Sequence, residues 1–491
     1  MQVGIMKRHK EKNRKKEIGK LDIRFIILIS AVVAFVLLFP QLIRYLGGNN
    51  TLIGQETYFH IRLVEDILNK NIKNISEKDN LVFEGREIRY MPYHFVIAGI
   101  SCLFGIHFSI IIFSLFFGVL SAVILYLLLK EIGMENIINK LAVVMFVISP
   151  AFVYIFIATP ESFSLFFTLL GAYLFLKDKR YFVFSLLSLL LASISSLFNL
   201  VIICISLLAY SILKRERQRE SICIIIIIGI VSVLLPPTYS SNVVFSSSNL
   251  FKEIISDIGG QISFSVFFII LSIVGMVFLW KTRYKYYVAY VILAFFILLF
   301  FIFGRYSNIY TALILSFFAA YGVCKIKNLK WQLNMIKNLT FLIIACGFAF
   351  SLISYSVRLS QSLPNNEIEG GLKWLKNNSL NDSIVMSHPY NGFFIEYWAE
   401  RKVLLDSYLP SIANADEKYI DSYSLFHSDS LEDARKIMDK YNIKYIIITE
   451  DMRNDLKKDE YSLLYLFRNN ETFKNVYNKS EIEIWKYIKA K

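Results

Sequence analysis

The uncharged run YFVFSLLSLLLASISSLFNLVIICISLLAYSIL, from Tyr181 to Leu213, is 33 residues long. As one helix rising about 1.5 Å per residue it would extend roughly 50 Å, against a hydrocarbon layer of roughly 30 Å. Read as two short spans broken around residues 193–199, it fits. The two readings differ by one crossing, so they place every later loop on opposite sides. Charge decides between them. With the break, loops 177–180, 214–220, 281–285 and 325–337 share one side, and each is rich in Lys or Arg. Basic short loops mark the inner face. One unbroken span would put three of those four loops outside. Loops 46–106, 158–161 and 237–261 are nearly neutral or acidic, and 304–306 carries a single Arg, as outer loops should.

Stretches meeting or nearing the length of a span also occur at 24–45, 107–129, 140–158, 161–177, 221–236, 262–281, 286–303, 307–324 and 338–357. The expected fold class is therefore a polytopic α-helical membrane protein, with about eleven transmembrane helices, its N-terminus inside and its C-terminus outside. Composition agrees: the 491 residues are 55% hydrophobic and only 19% charged, with mean hydropathy +0.50. That excludes a disordered chain and a soluble nucleic-acid binder despite a net charge of +14. Eight Lys or Arg fall in the first twenty residues, whereas residues 358–491 hold 19 basic and 21 acidic ones. Residues 1–23 read as a basic cytoplasmic N-terminus, and 25–43 as a retained anchor, too long for a signal peptide and without its cleavage site. The twelve residues 93–104 are too short to cross. All five cysteines lie in apolar segments, so no disulfide framework is expected.

The organisation expected is thus a basic segment 1–23, a membrane domain 24–357 with a long first outer loop 46–106, and a small extracytoplasmic α/β domain 358–491. In that domain residues 367–377 and 431–441 read as helices, the second capped by Ser430, and 384–386, 403–405 and 444–449 as buried strands.

Ionisable residues at a membrane boundary are functional candidates. Glu56 and His60 are four apart in Gln55-Glu56-Thr57-Tyr58-Phe59-His60-Ile61-Arg62, so a helix puts them on one face. A carboxylate there suits a divalent cation or a sugar acceptor; the plainer reading is a solvated helix with a surface pair. Glu161, in Thr159-Pro160-Glu161-Ser162, occupies a tight outer turn at a helix start, where the helix dipole alone would favour it. Arg305, in Gly304-Arg305-Tyr306, is an outer Arg suited to bidentate phosphate binding or to lipid headgroups. His94, His107, His388 and His427 show no ligand-like spacing, and no zinc site is expected.

In their order these features resemble the GT-C class of multi-span glycosyltransferases, and within it the catalytic subunit of archaeal-type oligosaccharyltransferase. The segment Glu56 to Arg62 looks like that family's Asp-x-Tyr-x-x-x-Arg, with Glu for Asp. Met91-Pro92-Tyr93-His94 resembles the end of its first outer loop. The path from Leu125 through Ile148-Ser149-Pro150 to Glu161 resembles its second acidic motif. Gly304-Arg305-Tyr306 resembles its phosphate-facing Arg, and Trp374 through Asp406 the start of its outer domain. Two departures stand out. At Ser387-His388-Pro389-Tyr390-Asn391-Gly392 only Tyr and Gly of the acceptor motif survive, and Glu253 is the nearest counterpart of an acceptor-binding Glu in loop 237–261.

The resemblance implies transfer of a sugar or oligosaccharide from a polyprenyl-phosphate or pyrophosphate carrier to an acceptor at the outer membrane face. It implies Glu56 and Glu161 as catalytic residues and ligands of a divalent cation (Mg or Mn), and Arg305, His60, Arg62 and Tyr58 as substrate-binding residues. Partners are a polyprenyl-linked donor, membrane lipid and a protein or glycan acceptor, with no nucleic acid. The weakened acceptor motif favours a monosaccharide transferase acting on a glycan or lipid as the alternative. A flippase of lipid-linked glycans, or a non-catalytic binding relative, is the alternative outside enzymes. Span interiors almost without charge argue against transport, which places its sites near the midplane. Asn-x-Ser/Thr sequons begin at Asn49, Asn74, Asn377, Asn381, Asn470 and Asn478, with Asn338 near the inner face.

Overall fold

An apolar stretch in hydrocarbon has no hydrogen-bond partners for its backbone except its own, so it folds as a helix. The computed structural model describes residues 22–69, 78–157, 159–213, 217–235, 254–260, 263–280, 287–303, 307–459 and 462–489. Its helices through residue 360 are α1 (Ile23–Leu46), α2 (Gln55–Asn69), α3 (Pro92–Phe104), α4 (Ile106–Glu131), α5 (Asn136–Val147), α6 (Pro150–Phe156) and α7 (Pro160–Lys177). There follow α8 (Phe182–Ser195), α9 (Leu197–Leu213), α10 (Gln218–Leu234), α11 (Val266–Trp280), α12 (Tyr287–Phe303), α13 (Asn308–Lys327) and α14 (Asn334–Ser360). Among the described residues α1, α4, α13 and α14 are each long and apolar enough to cross a membrane, and the bent pair α5–α6 makes a fifth. The long uncharged run is broken at Ser196, whose extended backbone ends α8. The α5–α6 break, a bend of 61°, falls where extended Ser149 caps α6 and Pro150 opens it. A proline donates no hydrogen bond to the preceding turn and is favoured at a helix start.

The chain divides into two units. The first takes its described residues from Met1–Pro40, Ile110–Thr238 and Phe245–Val357, the second from Gln41–Ser109 and Arg358–Lys491. In the first unit large apolar side chains face outward, among them Ile27, Phe35, Phe184, Ile226 and Val277, each more than half exposed. Its tightest packing joins α11 and α13. A Cβ on Gly275 would lie 1.8 Å from the Phe318 carbonyl oxygen, and one on Gly322 2.5 Å from that of Leu271. Ser272 Oγ also donates across to Leu315 O at 3.0 Å. Helices in lipid associate through close backbone approach and such bonds, because burial from water supplies no drive there.

The second unit contains α2, α3 and the tail. Its tail elements are α15 (Asn366–Asn378), β3 (Ile384–Met386), β4 (Lys402–Val403), α16 (Ala415–Phe426), α17 (Leu431–Lys440), β5 (Ile443–Thr449), α18 (Glu450–Leu456), β6 (Phe473–Asn478) and β7 (Ile482–Tyr487), preceded in the first loop by the short pair β1 (Lys78–Asp79) and β2 (Arg86–Glu87). The five-stranded sheet runs β4-β3-β5-β7-β6, with β4, β3 and β5 parallel and the β6–β7 hairpin antiparallel to β5. Ser430 Oγ accepts from Asp433 N and caps α17 as expected. The edge at β4 is covered by the first loop: Phe83 N donates to Val403 O, and Val403 N to Leu81 O, each at 2.8 Å. An unpaired strand edge is an aggregation hazard, and this pairing closes it. Arg44, 2% exposed, joins the same two parts. Its guanidinium donates to Ser360 O at 2.9 Å and to the carbonyls of Asn50, Ser362 and Pro364.

Gly275→Ala must push α11 and α13 apart, an overpacking cost of about 1–3 kcal/mol. Thermal unfolding in detergent should show a lowered midpoint for it. Gly229→Ala in α10, where nothing lies within 4 Å, should leave the midpoint unchanged or raise it.

Candidate active site

A helix facing water on one side keeps polar residues on that side; α2 does not. Gln55 through Ile61, Leu63 and Val64 are all buried, and Glu56 is only 4% exposed. The solvated-helix reading of Glu56 and His60 is therefore wrong. A helix buried all round must draw partners for its polar groups from the protein around it, and α2 does so at Gln55, His60 and Arg62.

At its start, Gly54 takes a left-handed backbone, φ +84°, and turns the chain into α2. That puts Glu56 in the first turn, where exposed backbone N–H groups favour a carboxylate. Gln55 Oε1 accepts from Ser407 Oγ at 2.7 Å. One turn on, His60 Nδ1 lies 3.0 Å from His94 Nε2, and His60 Nε2 lies 3.4 Å from the Tyr408 hydroxyl. Both imidazoles are held neutral: burial lowers His94 to about 3, and burial, then the neighbouring His94, lowers His60 well below its usual value. Ser407 and Tyr408 follow β4, and Ser387 to Gly392 follow β3. The start of α2 thus packs at the carboxyl ends of two parallel strands, where open α/β sheets place their ligand sites. A Cβ on Gly392 would stand 2.5 Å from Asp406 Cβ and 2.9 Å from Leu405 O, so only glycine fits there.

At the second turn of α2 lies a cluster of two guanidiniums and three carboxylates. Arg62 donates to both oxygens of Asp79, at 2.8 and 2.6 Å, and to Glu396 Oε2 at 2.7 Å. Arg86 donates to Asp79 Oδ2 at 2.9 Å, to Glu396 Oε2 at 3.3 Å and to Asp406 Oδ2. Asp406 Oδ1 in turn accepts from the backbone N–H of Tyr408 at 2.7 Å. The Arg86 guanidinium lies over the Phe59 ring, 4.8 Å from its centre. Burial works to raise Asp79, but the Arg62 hydrogen bond and the charges of Arg62 and Arg86 outweigh it and hold that carboxyl well below its usual value. Burial pushes Glu396 well above the usual carboxylate value despite both arginines.

Arg62 is thus an ion-pair member inside the unit. Tyr58 is wholly buried, its ring against Phe394, Tyr397 and Trp398. Both were expected to bind substrate, and these are the contacts they make among the described residues. In the first unit Glu161 lies in the first turn of α7, after Thr159 and Pro160, within electrostatic reach of Tyr310. The Tyr310 hydroxyl donates to Asn199 Oδ1 and lies 3.4 Å from Thr168 Oγ1. These residues make a polar seam in an apolar bundle. Arg305 and Glu253 lie outside the described residues. Among the described residues no three His, Cys, Asp or Glu side chains gather to hold a metal ion. Asp79, Arg86 and Glu396 were missed, because partners up to 334 residues apart leave no spacing to read; the one available signal was charge inside apolar surroundings, at Glu396 and Asp406.

No protein-family model matches the chain, and no curated protein matches it. Solved structures do. The oligosaccharyltransferase AglB of Archaeoglobus fulgidus, in complex with an inhibitory peptide and a dolichol-phosphate, superposes with TM-score 0.63 at 13% identity, over 95% of this chain and 74% of that one. The apo enzyme gives 0.62, again at 13% identity, over 87% and 70%. The fold is GT-C. A mycobacterial arabinofuranosyltransferase, AftD, shares the GT-C fold at TM-score 0.53 and 13% identity, over 95% of this chain and 42% of that one. Identities this low establish the fold alone.

The cluster yields a test by substitution. Arg86→Met leaves buried carboxylates without their cation and should cost about 3–5 kcal/mol, read as a collapsed unfolding midpoint. Glu396→Gln should cost less than about 1 kcal/mol near pH 5. A group whose folded pKa is raised contributes stability at low pH that is lost as pH climbs toward that pKa. The Gln variant should therefore gain on wild type as pH rises from 5 to 8, and an unchanged difference would mean Glu396 is ionised.

Proposed function

We propose that this chain is a membrane glycosyltransferase that moves a sugar or oligosaccharide from a polyprenyl-phosphate or pyrophosphate carrier to an acceptor on the outer face. The observation carrying this reading is the GT-C likeness over 95% of the chain to an enzyme solved with a dolichol-phosphate. The about eleven spans, the inner N-terminus and the outer position of residues 358–491 belong to the same proposal, supported by loop charge.

In the reaction the acceptor heteroatom attacks the anomeric carbon as the bond from that carbon to the carrier oxygen breaks. The electron pair leaves with the phosphate, and the acceptor proton must be taken up. Glu56 is our base: it is a carboxylate at a helix start, beside strand ends that favour ligands. Arg305 is our cation for the leaving phosphate, and Glu161 a second carboxylate on the donor side. His60, Arg62 and Tyr58 hold α2 in place instead of touching substrate. A divalent cation is supported by a complex of the A. fulgidus enzyme with Zn and sulfate, but the described residues assemble no set of ligands for one, so none of these steps passes through a metal. The altered segment Ser387 to Gly392 supports an acceptor other than a sequon peptide. A monosaccharide transferase acting on a glycan or lipid is therefore the second reading.

Purified protein given polyprenyl-linked sugars from its host should consume donor. Glu56→Gln, Glu161→Gln and Arg305→Ala should each lower turnover by about a hundredfold or more, and EDTA and Mn²⁺ arms decide whether a cation takes part. Donor binding without turnover would replace the enzyme with a flippase or a binding protein.

A further inference from the structure

The second half of α2 forms one wall of a cavity of about 980 Å³, all of whose lining belongs to the second unit. Residues of the first-loop hairpin and of the tail, among them 381–382 and 396–397, close its other walls. Most of the buried polar groups there are committed to the protein. Asp79 accepts from Arg62 and Arg86. Arg401 spends all three of its nitrogens on Ser379, Lys376, Ala399 and Glu400. Glu396 is the exception. Its Oε2 takes both guanidiniums. Its Oε1, in a residue 0% exposed, has no hydrogen-bond partner among the described residues. A buried polar atom without a partner is rare, and costly unless something supplies one. The backbone here is unusual as well: Ile395–Ala399 makes a single π-helical turn, and Glu400 follows in the left-handed region, φ +51°. Single π turns are frequent at functional sites.

We propose that this cavity binds a neutral saccharide. A hydroxyl both donates and accepts hydrogen bonds, so it satisfies Glu396 Oε1 whether the carboxyl is ionised or protonated. Asn69, Asn80, Asn381 and Asp382, exposed at the mouth, offer further carboxamide and carboxylate partners. Tyr397 and Phe83 add rings against which the C–H face of a sugar can pack. Charge sets the ligand's class: the lining holds seven carboxyl groups against four Lys and Arg, which disfavours a phosphate, a sulfate or a uronic acid. Among the described residues no three of those carboxyl groups gather to hold a metal ion. Position sets its role. Arg62 lies six residues beyond Glu56 and Asn69 thirteen, about 9 and 20 Å along a helix that rises about 1.5 Å per residue. The cavity therefore takes sugar units away from the reacting bond. That role rests on the proposed transfer at Glu56, whereas the binding does not. The glycan on the carrier and a glycan acceptor share this chemistry.

The test titrates full-length protein in detergent with two end-labelled pools of neutral oligosaccharide, read by fluorescence polarisation. One pool is released by mild acid from the polyprenyl carriers of the host, the other is cleaved from its surface glycans. At least one pool should bind, with an affinity that salt leaves unchanged, since screening acts on charges. Binding of the first assigns the cavity to the donor's glycan, and binding of the second to the acceptor's. Asn80→Trp and Asn381→Trp fill the mouth from the first loop and from the tail, at exposed positions. Each should abolish binding and leave the unfolding midpoint at its wild-type value. Glu396→Met removes the unpartnered oxygen and should lose binding too; if it fails to fold, the two Trp variants decide. No binding by either pool, or binding unchanged in both Trp variants, overturns the proposal. So does a lysine-rich peptide that binds in place of the saccharides and is released as salt rises. Saccharide bound without donor turnover keeps the cavity and sinks the transferase reading; turnover without saccharide binding does the reverse.

Discussion

Two arginines and three carboxylates, almost all of them dry, hold the second unit in register. Removing such charges from water is costly, and only mutual pairing with good geometry offsets it. Here the geometry is good: Arg62 grips Asp79 with two parallel bonds, and Arg86 bridges Asp79, Glu396 and Asp406. The partners come from α2, from the first-loop hairpin and from the tail. The cluster therefore fixes which part of a long loop meets which part of a sheet more than 300 residues later. A buried ionic cluster is a poor source of net stability and a good specifier of one arrangement, since any shift strands a charge.

Everything else at the candidate site hangs from that arrangement. Asp406 is a member of the cluster through one carboxylate oxygen and the anchor of Tyr408 through the other. Arg86 lies between the Phe59 and Phe393 rings, the same two rings that wedge Tyr408. The backbone at Gly392 comes so near Asp406 that no side chain fits. The loop after β3, the loop after β4 and the first two turns of α2 are therefore one structural piece, with Glu56 at its end.

How much of this was legible varies with the physical origin of each feature. Helix positions were, because hydropathy and length are local: each apolar stretch named from the sequence holds helix among its described residues, and the run 181–213 breaks at Ser196. Ser430 and the strand at Ile443–Thr449 were equally plain. The hairpin of β6 and β7 escaped notice because Asn and Lys interrupt the alternation in FKNVYN, and neither strand is apolar enough to stand out alone. The pairing of His60 with His94, 34 positions apart, is long-range and leaves no periodic mark. The resemblance named Arg62 and Tyr58 as substrate-binding; only packing shows Arg62 ion-paired to Asp79 and Glu396 and the Tyr58 ring set against Phe394, Tyr397 and Trp398.

The polarity of α2 is itself an argument about where chemistry belongs. Glu, His and Arg within seven residues of one buried helix break the rule that polar groups stay wet, and natural sequences tolerate such breaches chiefly at functional sites. Yet the three are treated differently. Arg62 is neutralised by carboxylates, and His60 avoids charge by staying a neutral link between His94 and Tyr408. Glu56 alone is placed where the helix itself, through its first-turn N–H groups, favours negative charge. A fold that suppresses or cancels charge on two residues, while siting the third where charge is welcome, has separated the residues that support the site from the one suited to act in it.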